Sequence, residues 1–162
     1  MSTKYPGNII SLGGPESYSN SFNGSTQYLT TTMTGQTFGT GDFTVEFWIN
    51  PSSVALSDIL DTRSAGDSVN AWSVQFDGTN LYWSSTTSYL NVPVANFPLG
   101  VWTHVAYTRA SGTMKVYVNG VQYGSSVSLT NDFTTTRMDI GVAVRTYYYS
   151  GLISNVRLVK GA

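Results

Sequence analysis

The chain has 162 residues, enough for one domain, and at that length roughly 70% of the unfolded surface is buried on folding, so a sizeable core needs no covalent staples. Cysteine is absent, which excludes a disulfide framework and a thiolate metal site. Charged residues are 10% of the chain against about a quarter in ordinary domains, and the net charge is −1, with three lysines and five arginines that form no run; nucleic-acid binding, which needs clustered cations, is not expected. Polarity comes instead from Ser, Thr, Asn and Gly, and aromatic residues make up 14%.

No apolar run reaches the roughly 18 residues of a membrane span, so no membrane insertion is expected. The opening "MSTKYPGNIISLGGP" lacks the apolar core of a signal peptide. Residues 1–17 are broken by Pro6, Gly7, Gly13, Gly14 and Pro15 yet carry Tyr5, Ile9, Ile10 and Leu12. That mixture is odd for a solvated tail and predicts an N-terminal arm that orders against a neighbouring subunit or another protein of the same particle. A single β-domain is expected over 18–162, starting with "SNSFNGSTQYLTT" (19–31). Within it, Asn23-Gly24-Ser25 has the form of a glycosylation sequon but reads as a turn.

"FTVEFWINP" (43–51) alternates Phe43, Val45, Phe47 and Ile49 on one face with Thr44, Glu46, Trp48 and Asn50 on the other, and Pro51 stops the strand. "WSVQFDGTNLYWSS" (72–85) reads as a hairpin around Asp77-Gly78-Thr79-Asn80. "MKVYVNGVQYG" (114–124) reads as a second, with Asn119-Gly120 supplying a type I′ turn. "GLISNVRLVKGA" (151–162) is a closing strand. Nothing reads as a long amphipathic helix, and the fold class expected is all-β.

In this order, "SFNGSTQYLTT" (21–31), "FGTGDFTVEFWINP" (38–51), "ILDTR" (59–63), "WTHVAYTRASGTMKVYVNG" (102–120) and the closing strand resemble the laminin-G-like branch of the concanavalin A-like lectin and glucanase sandwiches. The flavour is that of phage tail-fibre, virion and bacterial adhesion proteins. The resemblance implies an antiparallel jelly roll of two sheets, with ligand contacts on the concave sheet or its rim loops. It does not name a ligand, because function is grafted onto such folds.

Catalysis finds little support in the residues. His104 is the only histidine and can supply one metal ligand at most. It shares a strand face with Trp102 and Ala106, and no Gly-x-Ser-x-Gly elbow accompanies it, so it reads as a packed strand residue. Glucanases of this fold place acids at alternate positions on one strand, and a retaining mechanism needs two carboxyls about 5 Å apart. The glutamates here are Glu16 and Glu46 alone, and no strand carries that pattern. Asp58, Asp61, Asp67, Asp77, Asp132 and Asp139 are dispersed. No cofactor is called for by the residues; the resemblance leaves calcium open, held by a loop aspartate and backbone carbonyls.

The aromatic segments carry the binding expectation. "RTYYYSG" (145–151) sets Tyr147, Tyr148 and Tyr149 beside Arg145, and "LYWSSTTSYL" (81–90) adds Tyr82, Trp83 and Tyr89 among hydroxyls. Flat rings stack on apolar sugar faces while Arg145 and hydroxyls take up sugar hydroxyls; the same rings also suit a core or a protein interface. The expectation is a non-enzymatic module that binds a glycan or cell-surface polysaccharide, displayed on a virion or bacterial surface. The alternative is a structural decoration protein that docks on other subunits through its arm, which would make it an oligomer.

Overall fold

The computed structural model describes residues 10–12, 18–63, 70–85, 89–144 and 146–161. Its strands are β1 (Ile10–Leu12), β2 (Asn20–Asn23), β3 (Leu29–Thr32), β4 (Phe43–Pro51), β5 (Ser57–Asp61), β6 (Ser73–Phe76), β7 (Asn80–Ser84), β8 (Tyr89–Pro93), β9 (Thr103–Ala110), β10 (Thr113–Val118), β11 (Val121–Ser128), β12 (Arg137–Ile140), β13 (Val142–Ala143), β14 (Tyr147–Tyr148) and β15 (Ser150–Lys160). A 3-10 turn at Val94–Asn96 follows β8, and no α-helix occurs among the described residues.

These strands form two sheets. The seven-stranded sheet runs β1-β15-β4-β9-β10-β11, with β2 also paired to β15. The eight-stranded sheet runs β13-β14-β5-β6-β7-β8, with β12 joined to β5 and β3. Pairing is antiparallel except between β14 and β5. The result is the all-β jelly-roll sandwich expected from the strand pattern and the resemblance.

Alternation in sequence becomes alternation in space. Phe43, Val45, Phe47 and Ile49 of β4 are fully buried between the sheets, while Glu46 and Trp48 turn outward. Each such side chain contributes roughly 1.5–3 kcal/mol on leaving water. Both hairpins form where expected. Asn119 (φ 49°) and Gly120 (φ 80°) are both left-handed, as a type I′ turn requires. Asp77 Oδ1 accepts the Thr79 and Asn80 N–H groups, at 2.7 and 2.6 Å, and closes the other turn. Asn23 is a turn former too, since its Oδ1 accepts the N–H groups of Ser25, Thr26 and Gln27.

The core is unusually aromatic. Trp72 stacks on Trp83 with centroids 4.6 Å apart, and Phe38 stacks on Phe43 at 4.3 Å. Arg109 is buried among these rings, its guanidinium 4.8 Å from the Phe43 centroid and 5.2 Å from that of Phe133. It donates to the carbonyls of Gly39, Gly41 and Asn131 at 2.7, 2.8 and 2.7 Å, while its charge lies over the two ring faces.

Residues 10–12 of the expected arm add to the sandwich itself: Ile10, Ser11 and Leu12 pair with Leu158, Arg157 and Val156 of β15. Positions 1–9 and 13–17 lie outside the described residues.

Candidate functional site

The outer face of the eight-stranded sheet gathers polar side chains from strands far apart in sequence. Pairing registers place Tyr148, Asp58, Gln75, Tyr82 and Asn91 in one row across β14, β5, β6, β7 and β8. A second row runs Thr30, Asp139, Asp61, Ser73, Ser84 across β3, β12, β5, β6 and β7. A bulge explains why two aspartates three apart on β5 share a face. The register moves two residues on β5, from Asp58 to Leu60, against one on β6, from Gln75 to Val74. The extra residue restores Asp61 to the face of Asp58, where a regular strand would turn it to the other.

Arg63 lies over this floor. Its Nε donates to Asp61 Oδ1 at 2.7 Å, and one Nη donates to Asp58 Oδ1 at 2.9 Å and Gln75 Oε1 at 3.3 Å. Both carboxylates are shut from solvent while the guanidinium keeps an exposed edge. Burial pushes the Asp58 carboxyl up to about 8, against the lowering by Arg63 and with a further push from Asp61. Asp61 is also raised, chiefly by burial, although its hydrogen bond and ion pair with Arg63 oppose this. Burial alone would lower Arg63, but the hydrogen bond and charge of Asp61 and the charge of Asp58 hold it above its usual value. Beside this cluster Asp139 accepts from Thr30 Oγ1 at 2.7 Å and Arg137 at 2.6 Å.

The aspartates read as dispersed in the sequence are therefore neighbours here, which corrects that reading for Asp58, Asp61 and Asp139. They are spent on arginines. Among the described residues no group of three or more His, Asp or Glu side chains could hold a metal ion.

The aromatic residues expected to touch ligand divide between surface and core. Tyr82 is half-buried on the outer row, Tyr148 is half-buried at the end of the same row, and Tyr147 is exposed. The Tyr148 ring lies 6.4 Å from that of Tyr28. Trp83 and Tyr149 are corrections: both are 0% exposed. Trp83 sits in the stack with Trp72, and Tyr149 meets Phe22 edge-on at 6.2 Å. Strand alternation turns Trp83 inward from outward Tyr82, and beyond the end of β14 the chain turns Tyr149 into the core while Tyr147 and Tyr148 stay at the surface. Tyr89 occupies the register position opposite Ser84; its side chain and the whole of Arg145 lie outside the described residues. Arg63 and Gln75 were missed, although "ILDTR" carried the arginine two residues beyond an aspartate.

His104 packs on the outer face of the other sheet. Its ring lies 5.2 Å from Trp48, with Nε2 3.6 Å from Glu46 Oε2. Glu46 also accepts from Arg157 Nε. This is a histidine packed at a tilt against a tryptophan ring, with a carboxylate beside it, on a strand.

Solved structures extend the comparison. Domain 4 of AbnA, a GH43 extracellular arabinanase from Geobacillus stearothermophilus in complex with arabinotriose, superimposes with a TM-score of 0.69 at 24% identity, covering 99% of this chain and 79% of that one. The binding domain of Botulinum neurotoxin serotype D gives a TM-score of 0.72 at 16% identity, covering 96% of this chain and 44% of that one. A heptameric SAP-like pentraxin from Limulus polyphemus gives 0.61 at 23% identity, covering 86% and 74%. These likenesses establish the sandwich. No curated protein matches the chain. A laminin-G-type family model matches residues 23–162, and the chain belongs to the concanavalin A-like lectin/glucanases superfamily.

Proposed function

We propose that this domain is a non-catalytic carbohydrate-binding module whose glycan lies across the outer face of the eight-stranded sheet. The observation that carries the reading is the row running from Tyr148 through Asp58 and Gln75 to Tyr82 and Asn91, with the Arg63 fork above its centre. Paired sugar hydroxyls match planar amide and guanidinium groups, and the phenol rings at either side offer apolar surface to sugar faces. Asp58 and Asp61 orient Arg63 and are shielded by it, which leaves neither poised as a general acid or nucleophile. Support also comes from the arabinotriose held by the similar arabinanase domain. The setting proposed is display on a particle or bacterial surface, in keeping with a chain of 10% charged residues.

The test is titration calorimetry with arabinotriose, cellotriose, maltotriose and galactotriose against the parent, Tyr82→Ala and Tyr148→Ala. Binding by the parent that weakens about tenfold or more in both variants, with melting temperature unchanged, supports the reading. Variants that bind like the parent refute this face as the site.

A further inference from the structure

The opposite face of the sandwich carries a groove of different chemistry. Tyr18, Trp48 and Trp102 line it together with Ser19, Ser154 and Asn155, around a volume of about 400 Å³. That size falls within the range of small-molecule sites, roughly 300–1,000 Å³. All four tryptophans of the chain are described: Trp72 and Trp83 are buried in the core stack, and the other two, 38% and 37% exposed, both line this groove.

The groove is built into the fold. Trp48 projects outward from β4 between the inward Phe47 and Ile49, and His104 backs its ring. On the neighbouring β15 the register shifts between Ser154 and Arg157, and Asn155 there adopts a left-handed φ of 50°. Ser154 Oγ donates to the Tyr18 carbonyl at 2.6 Å, which pins the Tyr18 segment across the strand. The nearby charges of Glu46 and Arg157 answer each other, and no lining residue is charged. A site without formal charge complements a neutral ligand. Exposed rings beside hydroxyl and amide groups complement one with flat apolar faces and a hydroxylated edge.

We infer that this groove is a second binding site, for a neutral saccharide, so that the domain presents saccharide sites on both of its outer faces. The ligand class rests on the reading of the domain as a carbohydrate binder; the groove's geometry does not. With two sites facing opposite ways, one domain bridges two glycan chains.

Tryptophan emission separates this site from the other. Trp48 and Trp102 report on the groove, and Trp72 and Trp83 are shielded from solvent. The four neutral trisaccharides are titrated while emission and heat are followed, in the parent, Trp48→Ala, Trp48→Phe, Trp102→Ala and the front-face variant Tyr82→Ala. Saccharide is expected to shift parent emission to the blue. Trp48→Ala and Trp102→Ala should weaken that event about ten- to a hundredfold, Trp48→Phe less, and Tyr82→Ala not at all. Heat of binding that is lost in Tyr82→Ala, with emission unmoved and Trp48→Ala indifferent, overturns the groove and leaves the first site standing. No response to any sugar by either readout overturns both. An emission shift with a proline-rich peptide instead of sugars, or one that tracks self-association on raising protein concentration, overturns the saccharide assignment.

Discussion

The two sheets bury similar apolar faces and turn different chemistry to solvent. On the eight-stranded sheet, acids sit below the surface and arginines lie over them: Asp58 and Asp61 under Arg63, Asp139 against Arg137. On the seven-stranded sheet the ion pairs flank the surface, and its open part is aromatic: Tyr18, Trp48, Trp102. The difference teaches where stability and recognition reside. The Asp61 carboxyl beneath the Arg63 guanidinium ties the face to the fold, since losing the arginine leaves it buried without its cation. An exposed ring contributes little to the core and is available for contact.

Arg63→Leu should break the first half of that contrast most strongly, because it leaves two buried carboxyls without their cation. The expected loss is about 3–5 kcal/mol in denaturant unfolding, against less than about 1 kcal/mol for Trp48→Ala. Equal costs would erase the distinction between the faces. Adding Asp58→Asn to Arg63→Leu should recover part of the loss.

Within the tyrosine run the same contrast recurs over three residues. Tyr149→Ala removes a fully buried ring and should cost about 3 kcal/mol. Tyr147→Ala, at an exposed position, should change stability by less than about 0.5 kcal/mol. Thermal melts of the pair decide it; matching melts would mean the run is not divided between core and surface.

Acidity offers a gentler probe. A carboxyl whose native pKa is raised binds its proton more tightly folded than unfolded, so it favours the fold below its unfolded value and that contribution is lost as pH rises. For Asp58 the window runs from about 4 to about 8, and Asp61 acts in the same direction. Melting temperature should therefore fall over that interval, and Asp58→Asn, which mimics the protonated acid, should flatten the fall. A parent that gains stability throughout the window would contradict the burial of this pair. Smallest of all is the expected response to chelation: with these acids held by arginines, EDTA should leave melting temperature and trisaccharide binding unchanged, and a clear loss of either would point to a bound cation.

The fold was largely legible because its signals are local. The alternation from Phe43 to Pro51 carries its own burial pattern, and Asn119-Gly120 carries its own turn. The site was less so. Asp58 and Asp61 fall on one face only through a bulge, which spacing does not announce. Tyr82 and Trp83 stood as joint candidates although adjacent strand residues face opposite ways, and the outward one alone is at the surface. Trp48 was already outward in the alternation. What the sequence could not convey was that Trp102 and Tyr18 come beside it, because that depends on pairing between distant strands.

The place of β15 has a consequence for how the protein acquires this architecture. The strand nearest the end of the chain lies inside its sheet, with Lys160 opposite Phe43 on one side and Leu158 opposite Ile10 on the other. Gly151 (φ 140°) lets it approach β4 so closely that a Cβ there would collide with the Asn50 carbonyl. The early strands therefore wait for the late one, and ordering so long an intervening loop is entropically costly and slow to find. During synthesis the apolar inner face of β4 has no finished sheet to belong to until β15 has emerged.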